Sequence, residues 1–210
     1  MDIHPPHSPI RSLRDFAIQL ITITAGVLIA LSLEGLRETY REHVLVSEAH
    51  EMLAREIADN RKDVENVLGS LNDQRQNLVV ALRFADDLLA RKHTDVRELS
   101  LKLDFAELSN ASWTGAERTG ALGHMSYADV RKYAQVFAQQ EIFTAHQRQM
   151  MQRLTAAVAI LGAGGGDPTQ AGAKDLEAFR SEVLGLLGAL ALEEDFGKHL
   201  SETYRAALEK

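Results

Sequence analysis

The histidines, the carboxylates and one glycine run are the residues best equipped for chemistry, and their spacing decides what each can do. Gly162, Gly164, Gly165 and Gly166 superficially suggest a phosphate-binding loop. Such a loop needs a strand before it, a helix opening directly after it and, for the P-loop, a Lys-Ser/Thr pair. Here a helical pattern precedes the glycines, Asp167 and Pro168 follow, and no lysine appears until Lys174. The run is expected to be a linker. A di-metal carboxylate bundle wants Glu-x-x-His on two helices. The residues three before His43, His50, His93, His124, His146 and His199 are Tyr40, Ser47, Ala90, Ala121, Phe143 and Phe196, with no acid among them. Asp195 with His199, and His43 with His50, could each share a helix face and a metal, but a solvated surface is the favoured reading of both pairs. No Gly-x-Ser-x-Gly elbow frames a serine nucleophile. These residues therefore assign no catalytic, cofactor-binding or metal-ligating group, and no enzyme is expected.

A second cluster has the composition of a pocket. Trp113, the single tryptophan, is followed by Glu117, Arg118, His124 and Tyr127 in a turn-rich tract. Loops on rigid scaffolds often carry function, so Trp113, Arg118, His124 and Tyr127 are candidate pocket residues. The favoured reading is plainer: a large ring closing one end of a helical core.

The elements that would position these groups begin with a membrane segment. Phe16 to Leu33 is an uncharged, largely apolar run of 18 residues. As a helix it covers about 27 Å, close to the ~30 Å hydrocarbon core of a bilayer. A signal anchor is the favoured reading; a cleaved signal peptide with Ala30-Leu31-Ser32 as its processing site, and a buried core helix, are the alternatives. Arg11 and Arg14 before the run balance Arg37 and Arg41 after it, so the positive-inside rule is a tie. The short tail and first apolar segment favour an exported body. Thr22, Gly26 and Ala30 recur every four residues, a small-xxx-small stripe that suits helix packing in lipid and self-association.

The N-terminal block resembles a group of bacterial single-pass membrane proteins without an assigned activity. The resemblance lies in Leu13-Arg14-Asp15-Phe16, in Thr24 through Leu31, and in Glu34 followed by Arg37-Glu38. A weaker likeness is Trp113, then Thr119-Gly120-Ala121-Leu122, then Tyr127 and Tyr133. The resemblance implies a bacterial envelope location, a helical body and no particular activity.

The 210 residues carry a net charge of −7, which lies after the anchor, and no cysteine. An acidic body repels phosphate backbones, which argues against nucleic acid, and anionic lipid, which favours a body standing off the membrane. From Glu34 to about Lys92 there is no proline, and Val64, Leu68, Leu71, Leu78, Leu82, Ala85 and Leu89 recur at near-heptad spacing, as in a coiled coil. Thr94 or Asp95, with Glu98, is expected to cap a helix running to about Leu108. Ser126 with Asp129 opens the next helix, its apolar side Val130, Tyr133, Phe137, Met151, Leu154 and Val158, ending before Gly162. A last helix follows from about Ala173 to Leu208, with Leu176, Phe179, Val183, Leu187 and Leu190 on its apolar side. No alternating β-type segment is persuasive.

The expected fold class is all-α: an N-terminal transmembrane helix continuing into an antiparallel bundle of about three long helices plus short ones. The expected organisation is a tail 1–15, an anchor 16–33, a bundle 34–161, a connector 162–172 and a packed C-terminal helix 173–210. The expected role is protein association, as a scaffold or accessory component of the bacterial inner membrane with a periplasmic body. It would be a homo-oligomer or bind an envelope protein. A sensory or ligand-binding bundle that signals through a partner is the alternative.

Overall fold

The computed structural model describes residues 13–94, 96, 99–162 and 168–209. Most of the expected tail, the candidate caps Asp95 and Glu98, and connector residues 163–167 lie outside the described residues. The protein is all-α. Helix α1 is Leu13–Leu89, α2 Ala111–Arg118, α3 Ala121–His124, α4 Tyr127–Gly162 and α5 Ala173–Leu208, with a 3₁₀ turn at Pro168–Gln170. Contacts divide the chain into two compact units, Met1–Glu48 and Ala49–Lys210.

In the first unit α1 carries the apolar run, and every residue from Phe16 to Leu33 is exposed. This is a helix long and apolar enough to cross a membrane. Within this run Thr22 Oγ1 donates to the Ile18 carbonyl (2.9 Å) and Ser32 Oγ to that of Leu28 (2.7 Å), both partners in the same helix. Internal partners lower the cost of polar atoms in a medium that offers none.

The second unit is built on three stripes at coiled-coil spacing. On α1 the buried positions run Leu53, Ile57, Asn60, Val64, Val67, Leu71, Gln74, Leu78, Ala81 and Ala85. On α5 they run Leu176, Phe179, Val183, Leu186, Leu190, Glu193, Gly197, Leu200, Tyr204 and Ala207. Alternating steps of three and four keep one seam facing its neighbours along the whole helix. On α4 the seam is Tyr133, Val136, Phe137, Gln140, Phe143, Gln147, Met150, Ala157 and Leu161. The expected α4 face is corrected here: Met151 and Val158 are exposed. Gln140 and Gln147 occupy seam positions, so an apolar count alone chose the wrong neighbours.

Side-chain pairs set the helix directions. Gln147 meets Glu193 and Arg153 meets Glu182, so α5 runs antiparallel to α4. Arg75 meets Glu194 and Asp86 meets Arg180, so α5 also runs antiparallel to α1. His50 meets Tyr133 and Asn60 meets Gln140, so α1 and α4 point the same way. The chain must therefore return along α1 before α4 begins.

That return corrects the helix expected through Leu108: residues 99–110 have no helical turn. The Asp104 N–H donates to Gln74 Oε1, and Ser109 is bonded to Asn60. Five residues of strap thus match fourteen of helix, about 21 Å, a distance only near-extended backbone approaches. Leu103 is buried, and Leu99, Leu101, Phe105 and Ala106 pack on the core formed by α1, α4 and α5. The alternation of Leu99, Leu101, Leu103 and Phe105 with Ser100, Lys102 and Asp104 is the period-2 signal of extended chain.

The helix ends follow local rules. Arg91 adopts φ 52°, Lys92 N–H donates to the Asp87 carbonyl (2.8 Å) and Arg91 N–H to that of Leu88 (3.0 Å). This is a Schellman closure of α1 with arginine at the left-handed position. Ser126 caps α4 as expected: its Oγ accepts the Asp129 N–H (3.1 Å) and donates to Asp129 Oδ2 (2.6 Å).

Candidate functional site

The sequence candidates fall in different places. Thr22, Gly26 and Ala30 are all exposed on α1, and a Cβ built on Gly26 meets nothing within 4 Å. The stripe is open along its length. Trp113 on α2 is half-buried and stacks on Phe137 of α4, with ring centroids 5.5 Å apart and planes at 27°. Arg118 and His124 are exposed at the ends of α2 and α3, and Tyr127 is 84% exposed at the start of α4. Trp113 is thus committed to the core while Tyr127 faces solvent. Asp195 and His199 are both exposed, as is His43. Among the described residues no group of three or more His, Asp or Glu is arranged to hold a metal ion.

The concentrated polar chemistry lies inside the bundle, at three levels. At the first, His50 Nδ1 and the Tyr133 hydroxyl are 2.9 Å apart, and His50 Nε2 lies 4.0 Å from Asp129 Oδ2. Burial, reinforced by the Asp129 charge, pushes the Tyr133 hydroxyl above its usual range.

At the second level Asn60 donates to the Gln140 Oε1 (3.1 Å) and to the Ser109 carbonyl (2.7 Å), and accepts the Ser109 N–H (2.9 Å). The Tyr204 hydroxyl donates to the same Gln140 oxygen (2.8 Å), and Gln140 Nε2 donates to the Ser109 carbonyl (2.9 Å). Glu56 extends this layer, taking the Ser109 hydroxyl (2.7 Å) and the Ser112 N–H. Burial, then the Glu56 charge, drive the Tyr204 hydroxyl well above its usual range, against a hydrogen bond with Asn60. The layer joins α1, the strap, α4 and α5, and its multiple partners fix their register.

The third level is different because it is incomplete. Glu193 is 1% exposed, and its Oε1 accepts a hydrogen bond from Gln147 Nε2 (2.8 Å). Its Oε2 is, among the described residues, the buried side-chain oxygen or nitrogen left without a partner. His146 Nε2 approaches to 3.5 Å but lies 3.0 Å from the Ala189 carbonyl. A carbonyl only accepts, so Nε2 carries a hydrogen aimed at Ala189. Burial lifts the Glu193 carboxyl to about 7, the Gln147 donation partly opposing it. Its neighbour Glu194 behaves oppositely. Hydrogen bonds from Lys198 and Arg75 hold Glu194 below the usual carboxylate range.

Asn60, Gln74, Gln140, Gln147 and Glu193 are buried polar residues that the sequence did not single out, and His146, tested there only for a metal motif, is buried with them. A signal existed for Asn60 and Gln74, which sit on the three-four spacing between Ile57 and Val64 and between Leu71 and Leu78. Comparisons with protein-family models, with curated proteins and with solved structures find no match.

Proposed function

We propose that the chain is a single-pass protein of the bacterial inner membrane, held by residues 16–33, that acts by protein association as a scaffold or accessory component. The observation that supports this reading is the apolar run of α1, every residue of it exposed, in a chain whose second unit has a core of its own. Uncovered apolar surface of that extent is costly in water and neutral in lipid. The body after the run is proposed to be periplasmic. Ile142, Val158, Leu184 and Leu192, exposed on α4 and α5, add apolar surface for an envelope partner. The Thr22, Gly26 and Ala30 stripe favours a homo-oligomer. This reading assigns the protein no catalytic role, no cofactor and no nucleic-acid partner. The alternative of a sensory bundle drew on a pocket near Trp113 and Tyr127. The stacking of Trp113 on Phe137 and the outward position of Tyr127 favour association over it.

The test is protease access to a C-terminal epitope in intact cells and in spheroplasts, with the membrane-bound band sized on the same blot. Protection in cells and digestion in spheroplasts, at full length, is the expected result. Protection in both places the body in the cytoplasm and overturns the periplasmic assignment; a shortened, soluble band overturns the anchor.

A further inference from the structure

We propose that Glu193, with His146 and Gln147, is a pH-responsive latch between α4 and α5: neutral Glu193 holds the two helices packed, and its ionisation loosens them. The latch is independent of the membrane topology.

Geometry carries the inference. Glu193 sits at a seam position of α5, where a coiled-coil interface demands an apolar or fully bonded side chain. Only one of its oxygens is bonded, by Gln147. A neutral carboxyl tolerates a bare oxygen in such a place, whereas a carboxylate with one bare oxygen does not.

The surroundings offer the negative form little. From α4 the group facing it is His146, 9% exposed, its Nε2 hydrogen committed to Ala189 and its ring edge-on to Phe196 (5.3 Å, 83°). From α1 the charged residue at this level is Arg75, which is spent on Glu194 at 3.2 Å. Lys198 on α5 is likewise bonded to Glu194 (2.7 Å). At the neighbouring strap level Lys102 and Asp104 lie 3.8 Å apart and pair with each other. Arg75, Lys198 and Lys102 thus each already pair with another carboxylate.

The sign follows from linkage. The folded chain keeps the Glu193 proton up to about 7, while the unfolded chain releases it near 4.5. Between those values the folded state binds more protons, so this group's contribution to stability falls as pH rises. It is fully present below about 4.5 and gone above about 7.

The experiment uses the full chain in detergent micelles with ¹³C-labelled glutamate carboxyls. One carboxyl is expected to titrate near pH ~7, apart from the rest, and to be missing in Glu193→Gln. Gln147→Leu removes the donor to Oε1 and is expected to move that transition higher, which keeps the assignment testable if Glu193→Gln fails to fold. Hydrogen exchange, corrected for its intrinsic pH dependence, is read on the same samples across pH ~5 to ~8. Protection of residues 145–150 and 189–196 is expected to fall several-fold in the wild type and to stay flat in Glu193→Gln. If every glutamate titrates below pH ~5.5, Glu193 is an ordinary carboxylate and the proposal fails. If one titrates near neutrality while protection of α4 and α5 does not change, the group is a buried acid without a latch, and the proposal fails equally.

Discussion

Asn60 holds Ser109 from both sides, its Nδ2 donating to the serine carbonyl at 2.7 Å and its Oδ1 accepting the serine N–H at 2.9 Å. The two residues are 49 apart in sequence, and this clamp fastens the end of the strap to the middle of α1. Asn60→Leu keeps the branched shape of the side chain but leaves the Ser109 N–H without its acceptor, while Gln140 still serves the carbonyl. The expected cost is about 1 kcal/mol in urea unfolding, since the bond it removes is only part-buried. Hydrogen exchange at Ser109 should accelerate more than at α5 amides. Equal acceleration everywhere would show that the clamp has no local role.

Two glycines on α5 should respond oppositely to alanine. A Cβ at Gly188 meets nothing within 4 Å, so Gly188→Ala should stabilise the bundle by up to about 1 kcal/mol through helix propensity. A Cβ at Gly197 would lie 2.9 Å from Leu68 Cδ2 and 3.3 Å from Phe143 Cε2. Leu68 can give way, but Phe143 is buried, and overpacking of this kind typically costs about 1–3 kcal/mol. Thermal unfolding should place Gly188→Ala above the wild type and Gly197→Ala below it. The reverse order would mean that α5 does not pack on Leu68 and Phe143 as described.

Arg91 closes α1 in a conformation that glycine adopts without strain. Arg91→Gly should therefore raise stability by roughly 0.5–1 kcal/mol, an unusual gain for a glycine substitution. A Tm that drops instead would place the stabilising contribution in the arginine side chain.

The anchor stripe makes a prediction in lipid. Gly26→Ile introduces bulk where the chain itself has nothing within 4 Å, so the fold should be unaffected. Self-association through close helix approach should be lost, read as a marked drop in the cross-linked dimer in bilayers at equal expression. An unchanged dimer yield would move the contact away from Thr22, Gly26 and Ala30.

Much of this architecture was legible from periodicity. Helix boundaries at Ser126, Gly162 and Ala173 followed from a cap and a glycine-rich break, because helix ends are local chemistry. The stripe of α5 was legible at Leu176, Phe179, Val183 and Leu190, but the fully buried position between the last two is Leu186 and not the expected Leu187, since adjacent leucines fit the three-four spacing equally well. The strap was not. Leu99 to Phe105 alternates as extended chain does, but among the described residues no strand pairs with it, and it lies next to sequence that can be capped as a helix. Its true conformation is imposed by the distance from the end of α1 back to Asn60.

By itself the sequence determined an apolar run, three long amphipathic helices and the break between the last two, since these depend on residues within a few positions of one another. Tertiary structure alone decided which polar residues are buried, that α1 and α4 run parallel, and that Glu193 stands with one bare oxygen beside His146. The reason is physical. A helix pattern records which face is buried, whereas hydrogen-bond satisfaction across an interface depends on register between segments dozens of residues apart. Glutamate at a seam position is indistinguishable from a surface glutamate until the partner helix is in place.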